Sequence, residues 1–428
     1  MRRTLEFGAV LLALLLAGCT APPSKRRAGN LWDIGYLNSL PPPLDPEPVE
    51  PLLHSESFPH MVGDVAIWGH PSDPNQSLVI ATDLSRKGAI LVFDTEGKPV
   101  QTLDGIAMPY GVEVQTQFNF GRREIDIVAT IERETNRLRI FGINPTKRKL
   151  WEISGDTKLF SENFPPDTSA QGLALYRSQT DERTYAFVSR KRNNDEGGII
   201  LQYELVAKDG RISLKFIRDF GDFSHRGIVK VLLADDYLGY LYYVDRSAGI
   251  RKYSAEPHLY GVNHELAQFG AAGWRDYPTG LALWNSRVVG KGYIMSVEKL
   301  IDRTALRTFK REGEVDEPNR HNIEGIYRTI SSSDISGIDI CLLPMKMFPE
   351  GLIVVANQNS STLDYYSWRS IRSQNLSVRQ RQTLRDNSVN WDSNSAPTNE
   401  SGSGAKAPRS EESGEGTNSD ELTRNSIQ

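Results

Sequence analysis

The pentapeptide Gly172-Leu173-Ala174-Leu175-Tyr176 and its near copy Gly280-Leu281-Ala282-Leu283-Trp284 give the first indication of the fold. Each is a short apolar run that ends in an aromatic residue, a pattern that favours a β-strand. Because the same element recurs far apart along the chain, it indicates internal repetition. We therefore expect an all-β fold built from repeats.

Outward from these two elements, short apolar runs alternate with turn signals over residues 57–371, and helical periodicity is scarce. Predicted strands are Ser77–Thr82, Ala89–Phe93, Glu124–Ala129, Leu138–Ile143, Thr184–Val188, Tyr240–Val244 and Gly249–Tyr253. A repeat of about 50 residues would divide this region into six units, which predicts a six-bladed β-propeller. A β-sandwich also gives evenly spaced strands, so the spacing alone favours the propeller only in part.

The start of the chain has the features of an export signal. Arg2 and Arg3 precede an apolar run, Phe7–Ala17, that is too short to span a bilayer comfortably. The following Leu16-Ala17-Gly18-Cys19 resembles the bacterial lipobox, in which cleavage leaves the cysteine first and a diacylglycerol is attached to its thiol. The alternative is an ordinary signal peptide with an incidental cysteine.

The lipobox resemblance, the strand pattern and the composition of the two ends together divide the chain into four segments. We expect a lipoprotein signal peptide over residues 1–18, a lipidated Cys19 with a Pro-rich tether over residues 19–51, a propeller over 52–371 and a disordered polar tail over 372–428. Thr20 stands where an aspartate would signal retention in the inner membrane. The expected location is therefore the cell envelope, lipid-anchored to the outer membrane and facing the periplasm.

Composition excludes several classes of function. The 428 residues carry 50 Lys and Arg against 54 Asp and Glu, a net charge of −4, which argues against a broad nucleic-acid-binding surface. The two cysteines cannot form a disulfide framework, and Cys341 is expected to be a small buried hydrophobe. The sequence contains no Gly-x-Ser-x-Gly motif, and its seven histidines show no zinc-ligand spacing.

Several segments resemble the β-propeller phytases. Asp64-Val65-Ala66-Ile67-Trp68-Gly69-His70-Pro71 is similar to that family's opening motif Asp-Asp-Pro-Ala-Ile-Trp-x-His-Pro. Further elements follow in family order: Leu78–Lys98, Leu201–Leu205, Ala234–Tyr242, Lys252–Pro257, Ser336–Ile340 and Phe348–Leu352. The resemblance implies a six-bladed propeller whose upper face holds calcium ions that bind phytate and activate water for phosphomonoester hydrolysis, the activity of a 3-phytase.

The resemblance also implies which basic residues bind phosphate. Lys87, Arg133 and Lys191 fall on family phosphate-binding positions, although each could instead be a solvated surface charge. Lys230 and Arg246 stand where the family has glutamates. If these five residues converge, they form a cationic basin that could bind a phosphorylated anion without metal.

The acidic positions of the family are only partly kept. Candidate calcium ligands by resemblance are Asp64, Glu113, Asp245, Asp334 and Asp339. Family carboxylates are replaced by Gly63, Gln117, Lys230, Arg246, Thr279 and Ser336. A unit-charge contact at 4 Å is worth about 4 kcal/mol at an effective dielectric near 20, so two charge inversions should abolish at least one calcium position. We expect calcium occupancy to be reduced or absent.

Three hypotheses follow for the function. The first is calcium-dependent hydrolysis of phytate by a rearranged calcium set. The second is a catalytically weak or silent binder of phytate or another phosphorylated small molecule. The third is an envelope scaffold that docks proteins on the propeller.

Overall fold

The computed structural model describes residues 48–161, 164, 168–191, 197–224, 227–259, 261, 263–271, 277–286, 288–299 and 304–373. The predicted signal peptide, Cys19, most of the tether and nearly all of the polar tail lie outside these residues. No helix in the described part is long and apolar enough to cross a bilayer.

Within the described ranges, 24 strands form six four-stranded antiparallel sheets, or blades. Strand β1 (Leu53–His54) comes first, and blade 1 follows with β2 (Val62–Trp68), β3 (Leu78–Asp83), β4 (Gly88–Phe93) and β5 (Pro99–Ile106). Blade 2 contains β6 (Pro109–Phe120), β7 (Arg123–Glu132), β8 (Arg137–Asn144) and β9 (Lys149–Glu152). Blade 3 contains β10 (Ser169–Arg177), β11 (Thr184–Lys191), β12 (Ile200–Lys208) and β13 (Arg211–Phe220).

The remaining blades follow the same plan. Blade 4 contains β14 (Leu232–Asp235), β15 (Tyr240–Asp245), β16 (Gly249–Ser254) and β17 (Ala267–Phe269). Blade 5 contains β18 (Gly280–Asn285), β19 (Gly292–Lys299), β20 (Thr304–Lys310) and β21 (Ile323–Ile330). Blade 6 contains β22 (Ile335–Cys341), β23 (Leu352–Asn357) and β24 (Thr362–Ser367), and its outer strand is β1. A 3₁₀ turn spans Pro74–Gln76 and residues 368–373 are helical.

The ring is closed by the pairing of β1 with β24. Leu53 lies opposite Tyr365 and His54 opposite Asp364, so a strand from before blade 1 completes blade 6. His54 Nδ1 lies 2.7 Å from the buried Asp364 carboxylate. Val49, within the predicted tether, also forms a parallel bridge with Ile330 of blade 5.

The predicted fold class is confirmed, and individual strands match closely. The expected strand Ser77–Thr82 is observed as Leu78–Asp83, and Gly249–Tyr253 as Gly249–Ser254. Apolar side chains fill the space between blades, and Cys341 is buried as a free thiol, as expected. These contacts set the inner strands around a central channel.

Candidate functional site

One face of the propeller collects all five predicted phosphate-binding residues. Because antiparallel strands alternate in direction, the end of each blade's second strand and the start of its first strand lie at the same face, here called the upper face. Lys87 follows β3, Arg133 follows β7, Lys191 ends β11, Lys230 precedes β14 and Arg246 follows β15. The topology therefore places these side chains on the upper face, as the resemblance implied.

A cavity of about 330 Å³, the upper cavity, opens at the centre of this face. Its lining comes from all six blades and includes Asp64, Glu113, Leu173, Lys230, Thr279, Lys299, Asp334 and Asp339. Four of the five candidate calcium ligands are therefore brought together around one space, with two lysines among them.

Two tyrosines support three of the basic side chains. Lys230 Nζ and the Arg133 guanidinium each lie 5.5 Å from the centre of the Tyr110 ring. The Arg246 guanidinium lies 4.6 Å from the centre of the Tyr277 ring. Cation–π contacts of this kind attract a charged group to the face of the ring and so favour one position of its side chain. We call Arg133, Lys230 and Arg246 the basic rim.

The basic rim is continuous with the upper cavity. Both tyrosines line that cavity, and Lys230 also lines a neighbouring recess of about 170 Å³ together with Arg246 and Tyr277. Lys87 and Lys191 are exposed on the upper face but are not among the residues that line either space. Of the five predicted basic residues, Lys230 lines both spaces and Arg246 lines the recess, while Arg133 reaches the cavity wall only through its contact with Tyr110.

Two carboxylates in the cavity wall are held by backbone donors. Asp64 accepts hydrogen bonds from the N–H of Val65 at 3.0 Å and of Val112 at 3.2 Å. Desolvation by the surrounding protein nevertheless raises the pKa of Asp64 to about 6, since it outweighs these two donors. A carboxyl group with this pKa is partly protonated in mildly acidic solution.

Asp339 is held in the same way on blade 6. Its oxygens accept from the N–H of Ile67 and Ile340, both at 2.7 Å. Desolvation raises the pKa of Asp339 to about 7, and the Asp64 carboxylate adds to that increase. The Ile67 bond joins blade 6 to blade 1, so this carboxylate also supports ring closure.

Glu113, on β6, lines the same cavity. Its pKa is raised well above the usual value, first by desolvation and then by the charges of Asp64, Asp339 and Asp236. The upper cavity therefore contains acidic groups that repel one another when ionised.

The other two candidate ligands form ion pairs. Asp245 is fully buried, lies 2.8 Å from Arg251 Nε and accepts from the Ser224 N–H at 2.8 Å. It does not line the upper cavity. Asp334 does, and its Oδ1 lies 3.1 Å from Lys299 Nζ.

These arrangements do not fit a multi-calcium cluster. Calcium requires six to eight oxygen ligands at about 2.3–2.6 Å. The described residues contain no group of three or more His, Cys, Asp or Glu side chains arranged to hold a metal ion. In addition, Asp245 and Asp334 are engaged by Arg251 and Lys299. In the described part of the chain, the candidate ligands are thus not arranged as the cluster that the resemblance implies.

Gly63, where the resemblance implies an aspartate, has little room for a side chain. A Cβ atom added to Gly63 would lie 2.4 Å from Thr82 Oγ1 and 2.8 Å from Leu84 Cγ. The space for a side chain is therefore already filled, and Leu84 itself lines the upper cavity.

Sequence reasoning missed Lys299, Tyr110 and Tyr277. Lys299 ends the second strand of blade 5, as Lys191 ends that of blade 3, so a comparison of blades could have identified it. No signal in the sequence marked the tyrosines, because Lys230 and Arg246 reach them from a different blade.

Comparison with known proteins finds similar chains by sequence and by structure. A 3-phytase of Bacillus subtilis (strain 168) is 28% identical over 324 residues, which cover 73% of this chain and 79% of that protein. Solved structures that match include the WD40 repeats of RRP9 (9% identity, TM-score 0.41, 74% of this chain and 99% of that chain) and U3-55K (9% identity, TM-score 0.42, 75% and 99%). The sequence model of the phytase family matches residues 54–380. The chain therefore belongs to the phytase family.

Proposed function

We propose that this chain binds phytate or a similar polyphosphorylated small molecule on the basic rim without calcium, and that its hydrolysis of phytate is weak or absent. The observation that carries the proposal is the position of Lys230 and Arg246. Both replace family glutamates, and both are seated on tyrosine rings beside the upper cavity. Fixed positive groups thus stand where the family would place metal ligands.

The chemistry of the rim suits phosphate groups. An arginine can donate two parallel hydrogen bonds to one phosphate, and a lysine adds a point charge with three donors. Hydrolysis requires an activated water as well, and the described carboxylates do not form the metal cluster that would lower its pKa.

Calorimetric titration with phytate in the presence of a chelator tests this proposal. We expect the wild type to bind phytate. The double variant Lys230→Glu/Arg246→Glu should lose about tenfold or more in affinity, because attractive contacts with phosphate become repulsive. The control is Lys98→Glu/Lys215→Glu, which makes the same change in charge at exposed positions away from the upper face. Unchanged affinity in the rim variant would rule out the basic rim as the binding site.

A phosphate-release assay tests the second candidate function, calcium-dependent hydrolysis of phytate. This candidate is favoured by Asp64, Glu113, Asp334 and Asp339, which line one cavity. We expect no release above background with or without calcium. Calcium-dependent release of phosphate would show that the chain is a working enzyme and would contradict the proposed loss of hydrolysis. Absence of anion binding together with co-purified envelope proteins would instead favour a scaffold.

We also propose that Cys19 carries the lipid that anchors the chain in the cell envelope. The support is the lipobox-like Leu16-Ala17-Gly18-Cys19 after an apolar run, and a diacylated chain binds membranes stably. Metabolic labelling with a palmitate analogue in a bacterial host is expected to mark the wild type and not Cys19→Ser. Equal labelling of the two would contradict lipidation at this residue.

A further inference from the structure

A second lysine faces the upper cavity, and nothing in the family resemblance pointed to it. Lys299 is the last residue of β19, and its Nζ lies 3.1 Å from Asp334 Oδ1 of the neighbouring blade 6. Both residues line the upper cavity, with 43% of the Lys299 side chain and 36% of the Asp334 side chain exposed. The pair is therefore accessible to a ligand in the cavity.

The cavity wall around this pair also offers hydrogen-bond donors to an anion. Lys230, from blade 4, lines the same cavity, as does Thr279 at the start of blade 5. Thr279 Oγ1 is shielded from solvent and has no hydrogen-bond partner among the described residues. Such a hydroxyl usually has a partner, so an unused donor in the wall of a cavity that two lysines also line is consistent with a place for oxygen atoms of a ligand.

We propose that Lys299 is an anion-binding residue of the upper cavity and that its ammonium group takes the place of a divalent cation beside Asp334. A calcium ion held by this carboxylate would supply positive charge that attracts a phosphate. An ammonium group has three donors, so one can serve Asp334 while the others serve a phosphate. This inference rests on the proposed function, because it assigns a further residue to the same anion site.

Asp334 has two opposite effects in this arrangement. It positions the Lys299 ammonium at the cavity wall, and its negative charge repels an incoming phosphate. Replacement by asparagine keeps an oxygen that can accept from Nζ but removes the charge. Asp334→Asn should therefore bind phosphorylated anions more tightly than the wild type.

Titration of the full chain with phytate, and separately with inorganic phosphate, tests the assignment. We expect Lys299→Gln to lower the affinity about tenfold, the size expected for one charge-assisted hydrogen bond, and Lys299→Arg to keep most of it. Asp334→Asn should raise the affinity. The matched control is Lys291→Gln, which removes a positive charge just before the opposite end of β19, where Lys291 lies 4.0 Å from Glu312.

The outcomes separate this inference from the proposed function. If the wild type binds phytate but Lys299→Gln binds equally well, the role of Lys299 is wrong and the basic rim stands. A lower affinity for phytate in Asp334→Asn would also contradict the role proposed for the Lys299 and Asp334 pair. If the wild type does not bind either anion, both proposals fail.

Titration with calcium alone tests whether the ammonium group replaces a dication. Removing the Lys299 charge leaves Asp334 without its cation, so Lys299→Gln should bind calcium more tightly than the wild type and the Lys291→Gln control should not. Equal calcium affinity in all three proteins would contradict the proposal that the Lys299 ammonium group takes the place of a divalent cation.

Discussion

At the scale of single residues, the family resemblance implies that a few side chains are replaced in this site, and the structure shows how these residues contact their neighbours. Lys230 and Arg246 change charge, and each is seated on an aromatic ring that fixes it. Gly63 has no side chain, and Leu84 fills the space where one would stand. The replacements therefore fit together, and reversing one of them should not restore the original site.

Gly63 allows a direct test of that statement. Gly63→Ala should lower the free energy of unfolding by about 1–3 kcal/mol, because the new Cβ would overlap Thr82 Oγ1 and Leu84. Leu84→Ala should relieve part of this cost, so the double variant should lose less than the sum of the single variants. Denaturant unfolding measures both effects, and a neutral Gly63→Ala would contradict the close packing.

At the scale of elements, ring closure depends on a strand of two residues. β1 covers the outer edge of β24, where Leu363 and Tyr365 are buried. His54 binds Asp364 at 2.7 Å, and the nearby His60 binds the buried Asp83 of blade 1 at 2.7 Å. The segment that enters the propeller is thus fastened to the last blade and to the first.

Removal of β1 should therefore destabilise the whole ring. A chain that begins at residue 57 leaves blade 6 with three strands and exposes apolar side chains, each worth about 1.5–3 kcal/mol when buried. We expect a lower thermal midpoint than in a chain that begins at residue 48, which keeps β1. Differential scanning calorimetry compares the two, and equal midpoints would show that β1 does not stabilise the ring.

At the scale of the whole molecule, the blades bring acidic groups into one central channel. The pKa values of Asp64 and Asp236 are raised to about 6 and that of Asp339 to about 7, in each case mainly by desolvation. Asp236 accepts from Gln115 Nε2 at 2.7 Å, which joins blade 4 to blade 2. No single blade would produce these shifts.

The channel acids predict an unusual dependence of stability on pH. Because their pKa values are higher in the folded than in the unfolded chain, the folded state binds more protons between about pH 4 and 7, and stability falls as the pH rises through that range. In chelator, Asp339→Asn should reduce the difference in free energy of unfolding between pH 5 and pH 8 by roughly 2–3 kcal/mol. Urea unfolding at several pH values measures it.

The control for this prediction is Asp104→Asn, which changes an exposed carboxylate on β5. It should leave the pH dependence as it is in the wild type. If Asp339→Asn and Asp104→Asn had the same pH profile as the wild type, the raised pKa of Asp339 would not contribute to stability.

The sequence by itself determined the fold class, several of the strands and the family. Repeated runs such as Gly172–Tyr176 and Gly280–Trp284 carry strand periodicity locally, and family motifs such as Asp64–Pro71 are contiguous in the chain. The resemblance also singled out the five basic residues, and the structure places them at strand ends that share a face.

Only the tertiary structure decided which of these side chains act together. Arg133 and Lys230 meet at the ring of Tyr110, Asp334 pairs with Lys299, and Asp245 pairs with Arg251 instead of lining the cavity. The first two of these contacts join different blades. The geometry of these contacts depends on how the six blades close into a ring, and it cannot be predicted from the spacing of residues along the chain.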